Sequence, residues 1–83
     1  MLNDVTVKLY TTSYCPYCIA ALELLDHLKV KYVNYDVTQN SALRKKISEE
    51  QNGYSTVPMI FIAEQFIGGY SELKSLVEKG KFP

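Results

Sequence analysis

The segment VTVKLYTTSYCPYC, residues 5–18, decides the fold because two structural patterns meet in it. Over residues 5–10, the apolar side chains Val5, Val7 and Leu9 alternate with polar ones. Strict alternation is typical of a β-strand with one buried face. The segment therefore begins with a strand, and it ends with the only two cysteines of the chain, three positions apart.

A helix is predicted to begin at the cysteines. From residue 16 onward, apolar side chains recur at intervals of three positions, with acidic residues between them. Pro16 suits the first helical turn, where a missing N–H removes no intrahelical bond. We expect a helix over residues 16–28 with one buried stripe, formed by Ile19, Leu22, Leu25 and Leu28.

The rest of the chain predicts two further strand regions and two further helices. The segment SELKSLVEKG reads as the last helix, with Ser71 as its N-cap and Gly80 at its end. The predicted order is β-α-β-α-β-β-α, an α/β fold in which the first two strands are parallel and a hairpin adds antiparallel strands. A single domain over residues 1–83 is expected, with four strands in one mixed sheet flanked by helices. The intervening elements are a strand at 30–37, a helix at 41–51, and a hairpin of strands 57–62 and 66–67.

Composition excludes several classes of function. Nine Lys and Arg balance nine Asp and Glu, and the longest basic run is RKK at residues 44–46, so a dedicated nucleic-acid binder is not expected. No apolar run approaches the roughly 18 residues of a membrane-spanning helix. The first ten residues lack the pattern of a secretory signal, so we expect a cytoplasmic protein in a reducing compartment.

The two cysteines, Cys15 and Cys18, could be metal ligands, a structural disulfide or a reactive pair. A structural zinc ion needs four ligands, and the one histidine, His27, is roughly 15–18 Å along the same helix from Cys15. We therefore expect no metal site. A disulfide closing so short a loop removes little entropy from the unfolded chain, and the expected compartment is reducing. Redox chemistry remains, beside the alternative of two ordinary buried cysteines.

The position of the pair favours redox chemistry. Cys15 directly precedes the first helical residue, so its sulfur would face the unpaired N–H groups and the positive end of the helix dipole. These donors favour a thiolate, which makes Cys15 the nucleophile. Cys18 lies one turn further, on the same face and shielded, so it should resolve rather than attack. A position between a strand and a helix of a βαβ unit is the context in which a CxxC motif indicates redox chemistry.

Two further segments could complete a binding site. In STVPMIF, Pro58 opens an apolar strand, and a cis Val57–Pro58 bond would leave the Val57 backbone able to pair with an extended peptide. A strand-opening proline without a ligand fits that segment equally well. In IGGYSEL, the N–H groups of Tyr70 and Ser71 at a helix start would suit a carboxylate. A loop without a ligand, in which Ser71 only caps the following helix, fits this segment equally well.

Taken together, CPYC, TVP and GGYSEL resemble the dithiol glutaredoxins over residues 5–79. The resemblance implies a thioredoxin-like fold with a cis-proline facing the CxxC motif. It also implies that Cys15 attacks, that Cys18 resolves through a reversible Cys15–Cys18 disulfide, and that glutathione is the reductant. The residues that it assigns to glutathione binding are Tyr17, Lys45, Thr56, Val57, Pro58, Gly69, Tyr70, Ser71 and Glu72.

The chain departs from this family at two cationic positions. Many glutaredoxins have a lysine three residues before the first cysteine, where this chain has Thr12. Some glutaredoxins have an arginine just ahead of TVP, where this chain has Tyr54 and Ser55. The missing cations predict weaker glutathione binding, with Lys45 as a basic contact to the glycyl end.

The predicted function is glutathione-dependent reduction of protein disulfides and protein–glutathione mixed disulfides. No tightly bound cofactor is expected, glutathione is a co-substrate, and the chain should act as a monomer on disulfide-containing or glutathionylated proteins, ribonucleotide reductase among the candidates. One alternative is a glutaredoxin-like redoxin reduced by thioredoxin reductase, which donates electrons to ribonucleotide reductase. Another is an iron–sulfur cluster carrier in which two chains and two glutathiones supply the ligands.

Overall fold

Three helices and four strands follow one another in the predicted order. The computed structural model describes residues 6–54 and 56–82, so Val5 and Ser55 lie outside the described residues. Within that part of the chain, no helix is both long enough and apolar enough to cross a bilayer. The elements are β1 (Val7–Thr11), α1 (Pro16–His27), β2 (Tyr32–Asp36), α2 (Ser41–Glu50), β3 (Met59–Ile62), β4 (Gln65–Gly68) and α3 (Tyr70–Glu78).

The strands form one mixed sheet in the order β2-β1-β3-β4. β1 runs parallel to β2 because α1 carries the chain back between them, whereas β3 is antiparallel to both β1 and β4. Ala63 and Glu64 join β3 to β4 with φ angles of 53° and 65°. Two successive positive φ angles match the twist of a tight hairpin. The predicted α/β architecture is confirmed.

The buried face of α1 differs from the predicted stripe. Of the four expected residues only Leu25 is fully buried, and Ile19 is 47% exposed. A spacing of three falls short of the 3.6-residue helical turn, so four such residues spread over half the helix surface. The face that packs on the sheet instead carries Cys18, Ala21 and Leu25. The second cysteine therefore belongs to the core side of the helix.

The core lies between the sheet and the helices α1 and α3. Burying its aliphatic side chains is the main favourable term in folding and fixes the helices against the sheet. The first turn of α1 is thereby held above the end of β1. The core consists of Val7, Leu9, Ala21, Leu25, Ile60, Ile62 and Leu73.

The ends of α2 agree with the sequence. Asn40 is the N-cap, and its Oδ1 accepts a hydrogen bond from the backbone N–H of Leu43 at 3.1 Å. After the helix, Asn52 and Gly53 have φ angles of 61° and 82°, a conformation that these two residue types tolerate best. The helix is mostly exposed, and Ile47 is its one buried residue among those described.

Candidate active site

Cys15 occupies the N-cap position of α1, as predicted from its place before Pro16. Its backbone is extended, with φ −96° and ψ 115°, and its Sγ accepts a hydrogen bond from the N–H of Cys18 at 3.4 Å. The sulfur thus takes the place of the oxygen that usually caps a helix. It faces the positive end of the helix, where negative charge is stabilised.

The loop before β3 lies against this sulfur. The Val57–Pro58 peptide bond is cis, as predicted. The Cys15 thiol donates to the backbone oxygen of Val57 at 3.6 Å, across 42 positions of sequence. Val57 precedes β3, which begins at Met59, so its backbone lies outside the strand. The two segments that the sequence singled out, CPYC and TVP, are therefore in contact.

Cys18 is almost completely buried, with 1% of its surface exposed, while Cys15 is half-buried. Burial raises the pKa of the Cys18 thiol from 9.0 to about 11, because a thiolate loses its hydration there. The backbone N–H of Thr12 opposes this shift, and the neighbouring Cys15 adds to it. At neutral pH Cys18 is held as a thiol, which is the state expected of a resolving cysteine.

The influence of Cys15 on Cys18 depends on the state of Cys15. Both the hydrogen bond and the charge of Cys15 raise the pKa of Cys18. A mixed disulfide at Cys15 carries no charge, so its formation removes that part of the barrier to ionising Cys18. Ionisation of Cys18 therefore becomes easier once Cys15 is part of a disulfide.

A groove of about 270 Å³ runs from the Val57–Pro58 loop to the start of α3. Tyr17, which is 64% exposed, stands on one side of it, with its ring centroid 6.2 Å from that of Tyr70. Eight of the residues predicted to bind glutathione line this groove. The lining comprises Tyr17, Tyr54, Thr56, Val57, Pro58, Gly69, Tyr70, Ser71 and Glu72.

The start of α3 corrects one prediction. The N-cap is Gly69 rather than Ser71, which lies within the first turn of the helix. The reason is Glu72, whose Oε1 accepts the N–H of Gly69 at 2.8 Å. Gly68, with φ 117°, leaves room for this carboxylate, because a Cβ there would lie 2.8 Å from Glu72 Cγ. Gly68 therefore admits the Glu72 side chain to the end of the groove.

The structure adds one residue to the predicted groove and leaves one outside it. The sequence marks Tyr54 only as the place of a missing cation, yet the side chain lines the groove and packs edge-on against Phe66. Its position directly ahead of TVP was the available signal. Lys45 is exposed on α2 and is not among the lining residues. His27 is exposed at the end of α1.

Comparisons with known proteins agree with this geometry. Residues 7–67 match the family model described as glutaredoxin. A glutaredoxin 1 of Rickettsia prowazekii is 39% identical over 77 residues, covering 92% of this chain and 81% of the relative. A glutaredoxin of Pseudomonas aeruginosa is 37% identical over 75 residues, covering 90% of this chain and 88% of the relative.

Solved structures give the same result at the level of the fold. The buckwheat glutaredoxin–glutathione complex superposes with a TM-score of 0.86 at 26% identity, covering 98% of this chain and 76% of the buckwheat chain. The mixed sheet of this chain and its CxxC motif at the start of α1 are thus those of a thioredoxin-like fold. With a matching family model and relatives above 30% identity, this chain belongs to the glutaredoxin family and is a thiol-disulfide oxidoreductase.

Proposed function

We propose that this chain uses glutathione to reduce protein disulfides and protein–glutathione mixed disulfides. The observation that carries the proposal is the contact of Cys15 with the Val57 backbone, next to a groove that ends at the start of α3. A buckwheat protein of similar fold was solved as a complex with glutathione, which supports a tripeptide as the occupant of this groove.

The groove has a suitable binding group for the cysteinyl residue of glutathione and for both charged groups of its γ-glutamyl residue. The Val57 backbone would pair with the cysteinyl residue, flanked by Thr56 and Pro58. At the other end, the N–H groups of Tyr70 and Ser71 begin a helix and suit the α-carboxylate of the γ-glutamyl residue. The Glu72 carboxylate is the one anionic side chain of the described lining, and it suits the α-ammonium group.

Deglutathionylation requires only Cys15. The Cys15 thiolate attacks the glutathione sulfur of a mixed disulfide, and the protein thiolate leaves and takes up a proton. Cys15 is then joined to glutathione, and the thiolate of a second glutathione attacks the bound glutathione sulfur. Oxidised glutathione leaves and the Cys15 thiolate is restored. One free glutathione is consumed for each protein thiol released, because the other half of the oxidised glutathione comes from the substrate.

Reduction of a protein disulfide requires both cysteines. Cys15 attacks one substrate sulfur and forms a mixed disulfide, releasing the other substrate sulfur as a thiol. Cys18 then loses its proton and attacks Cys15 Sγ, which expels the second substrate thiol and leaves a Cys15–Cys18 disulfide. Two glutathiones reduce that disulfide. The cycle uses no bound cofactor, and it belongs in a reducing compartment such as the cytoplasm.

The charges that line the groove predict its affinity for glutathione. Its described lining contains no lysine or arginine, because Tyr54 stands where relatives can have a cation and Lys45 lies elsewhere. The glycyl carboxylate of glutathione therefore lacks a charged partner, and we expect binding to be weaker than in a groove with one.

The test supplies the same substrate with two reductants. A glutathionylated peptide is incubated with the protein and either glutathione plus glutathione reductase, or thioredoxin reductase, each with NADPH. The proposal expects turnover with glutathione and little with thioredoxin reductase. The reverse result would replace glutathione by a reductase protein as the electron source. Cys15→Ser protein measures the uncatalysed background in both arms.

A further inference from the structure

Thr12 is a buried polar residue with an unused hydroxyl. Only 2% of its surface is exposed, and its Oγ1 has no hydrogen-bond partner within the part of the chain that the structure describes. Leaving a buried hydroxyl without a partner costs free energy, so such a group calls for an explanation. The residue directly follows β1, and its backbone oxygen accepts the N–H of Cys15 at 3.4 Å, so it lies at the base of the CxxC turn.

Two hydrogen bonds join Thr12 to Cys18 through the CxxC turn: the Thr12 oxygen accepts the N–H of Cys15, and Cys15 Sγ accepts the N–H of Cys18. Thr12 and Cys18 are both almost fully buried at this turn, so the Cys18 sulfur is the candidate acceptor for the hydroxyl. Burial dominates the raised pKa of the Cys18 thiol, and both the backbone N–H and the hydroxyl of Thr12 act to lower it. A neutral thiol is a weak acceptor, which is consistent with the missing bond in the resting state. A thiolate is a strong acceptor, so ionised Cys18 would give the hydroxyl its partner.

We propose that the Thr12 hydroxyl donates a hydrogen bond to the Cys18 sulfur as that sulfur becomes anionic, and thereby accelerates closure of the Cys15–Cys18 disulfide. The two donors of Thr12 would stabilise the charge inside the protein, where water cannot reach it. In this step Cys18 gives up its proton, the S–S bond to Cys15 forms, and the bond from Cys15 to the substrate sulfur breaks. The expelled thiolate takes up a proton.

The proposal rests on exchange through both cysteines, which is part of the proposed function, but it does not depend on glutathione. A chromogenic aromatic disulfide, dithiobis(nitrobenzoate), can therefore replace the natural substrate. Cys15 attacks it and releases one coloured thiolate. Cys18 then attacks Cys15 and releases the second, so stopped-flow absorbance separates the two steps. In Cys18→Ser protein the second phase must disappear.

The test compares three variants with the wild type. Thr12→Val removes the hydroxyl at nearly constant volume, and Thr12→Ser retains it. Thr11→Val is the matched control, because Thr11 is also buried but its hydroxyl bonds Asn34 Oδ1 at 2.7 Å. Thermal unfolding of each variant separates effects on stability from effects on the step.

For Thr12→Val we expect the ratio of the second rate to the first to fall about tenfold, the usual scale for one hydrogen bond to a charged group. The rise of the second phase with pH should move upward by about one unit, while the melting temperature should not fall. Thr12→Ser should keep the ratio of the two rates within about twofold of the wild-type value. Thr11→Val should lower stability and leave this ratio unchanged.

Two results would overturn the proposal. One is an unchanged ratio and pH profile in Thr12→Val. The other is an equal loss in Thr11→Val, which would assign the effect to packing. If Thr12→Val protein does not fold, Thr12→Ala is measured against Thr12→Ser with the same expectation. Failure of the glutathione assay alongside a slowed second phase would refute the proposed reductant and leave the role of Thr12 standing.

Discussion

The first turn of α1 has an open side, the front region, which faces the groove, and a closed side, the rear region, which faces the core. The two regions differ in their access to water. In front, half-buried Cys15 lies beside an open groove bordered by the exposed ring of Tyr17. Behind, Cys18 and Thr12 are closed off, with 1% and 2% of their surfaces exposed. The two thiols are three positions apart, so one helical turn separates an open environment from a closed one.

This difference gives two identical side chains the separate environments that their proposed roles require. The front thiol can meet substrates of many shapes, and the positive end of α1 stabilises charge on it. Burial raises the free energy of ionising the rear thiol and closes it off from substrates in solution, which suits the proposed role of attacking Cys15. The CxxC spacing brings the pair together, and the packing of α1 on the sheet makes its members unequal.

The largest expected effect comes from replacing the cysteine of each region by serine, one at a time. Cys15→Ser should abolish both deglutathionylation and protein-disulfide reduction, because no other described residue offers an open thiol. Cys18→Ser should abolish protein-disulfide reduction alone. Both activities are measured as NADPH oxidation coupled to glutathione reductase, with a glutathionylated peptide and a disulfide-bonded protein as substrates. Equal loss of both activities in Cys18→Ser would remove the distinction between the regions.

Alkaline pH should lower the free energy of unfolding, because it ionises Cys18 in the rear region. Folding raises the pKa of Cys18 from 9.0 to about 11, so the folded protein holds this proton more tightly than the unfolded chain. The resulting stabilisation is complete below the unfolded pKa and is lost as pH rises through the folded one. Two units correspond to about 2–3 kcal/mol.

Urea unfolding of the reduced protein at several pH values measures this loss. Tyrosines also titrate in this range, so the relevant quantity is the difference in pH dependence between the wild type and Cys18→Ala. We expect the variant to lose less free energy of unfolding between pH 9 and pH 11. Parallel curves for the two proteins would show that burial does not hold the Cys18 proton.

The front region should be sensitive to a single added methyl group. A Cβ on Gly69 would lie 2.8 Å from the Tyr54 hydroxyl and 3.4 Å from the Pro58 oxygen, so Gly69→Ala must displace the side chain of Tyr54, which lines the groove. We expect KM for a glutathionylated peptide to rise about tenfold, equivalent to ~1.4 kcal/mol. The first-phase rate with dithiobis(nitrobenzoate) should change little, because that reagent does not need the groove.

Gly80→Ala is the matched control for this change. Its Cβ would meet nothing within 4 Å, although its φ of 68° makes alanine strained there. The control should therefore lower stability and leave KM unchanged. A similar rise of KM in both variants would attribute the effect to general destabilisation rather than to the groove.

The smallest expected effect is a gain. Tyr54→Arg places a cation in a groove whose described lining has none, so KM for the glutathionylated peptide should fall about threefold, as an exposed ion pair contributes up to about 1 kcal/mol. Tyr54→Gln is the neutral control. High salt should remove the gain of the arginine variant by screening the pair. A gain that persists in salt, or that appears equally in Tyr54→Gln, would refute the electrostatic explanation.

Local sequence signals predicted most of the fold and much of the groove. The alternation before residue 11, the proline after Cys15 and the paired glycines before α3 each act within a few residues, so they can be read without tertiary structure. The cis peptide at Pro58 facing the CxxC motif was implied by the resemblance of three such segments to the dithiol glutaredoxins.

Features set by long-range packing could not be read in this way. The buried face of α1 depends on which side meets the sheet, and apolar residues at three-residue spacing do not define that side. Ser71 has the right residue type for an N-cap, but Glu72 is the side chain that bonds the helix start. Thr12 was noticed only as an absent cation, because burial of its hydroxyl arises from the packing of the turn over β1.

The distinction between an open Cys15 and a closed Cys18 is tested most directly by competitive alkylation. The reduced protein is treated near neutral pH with less than one equivalent of iodoacetamide, quenched, and mapped by peptide mass spectrometry. We predict that Cys15 carries nearly all of the label, at least about a hundredfold more than Cys18, because only a thiolate reacts and burial holds Cys18 as a thiol. Equal labelling of the two cysteines, or preferential labelling of Cys18, would contradict the account.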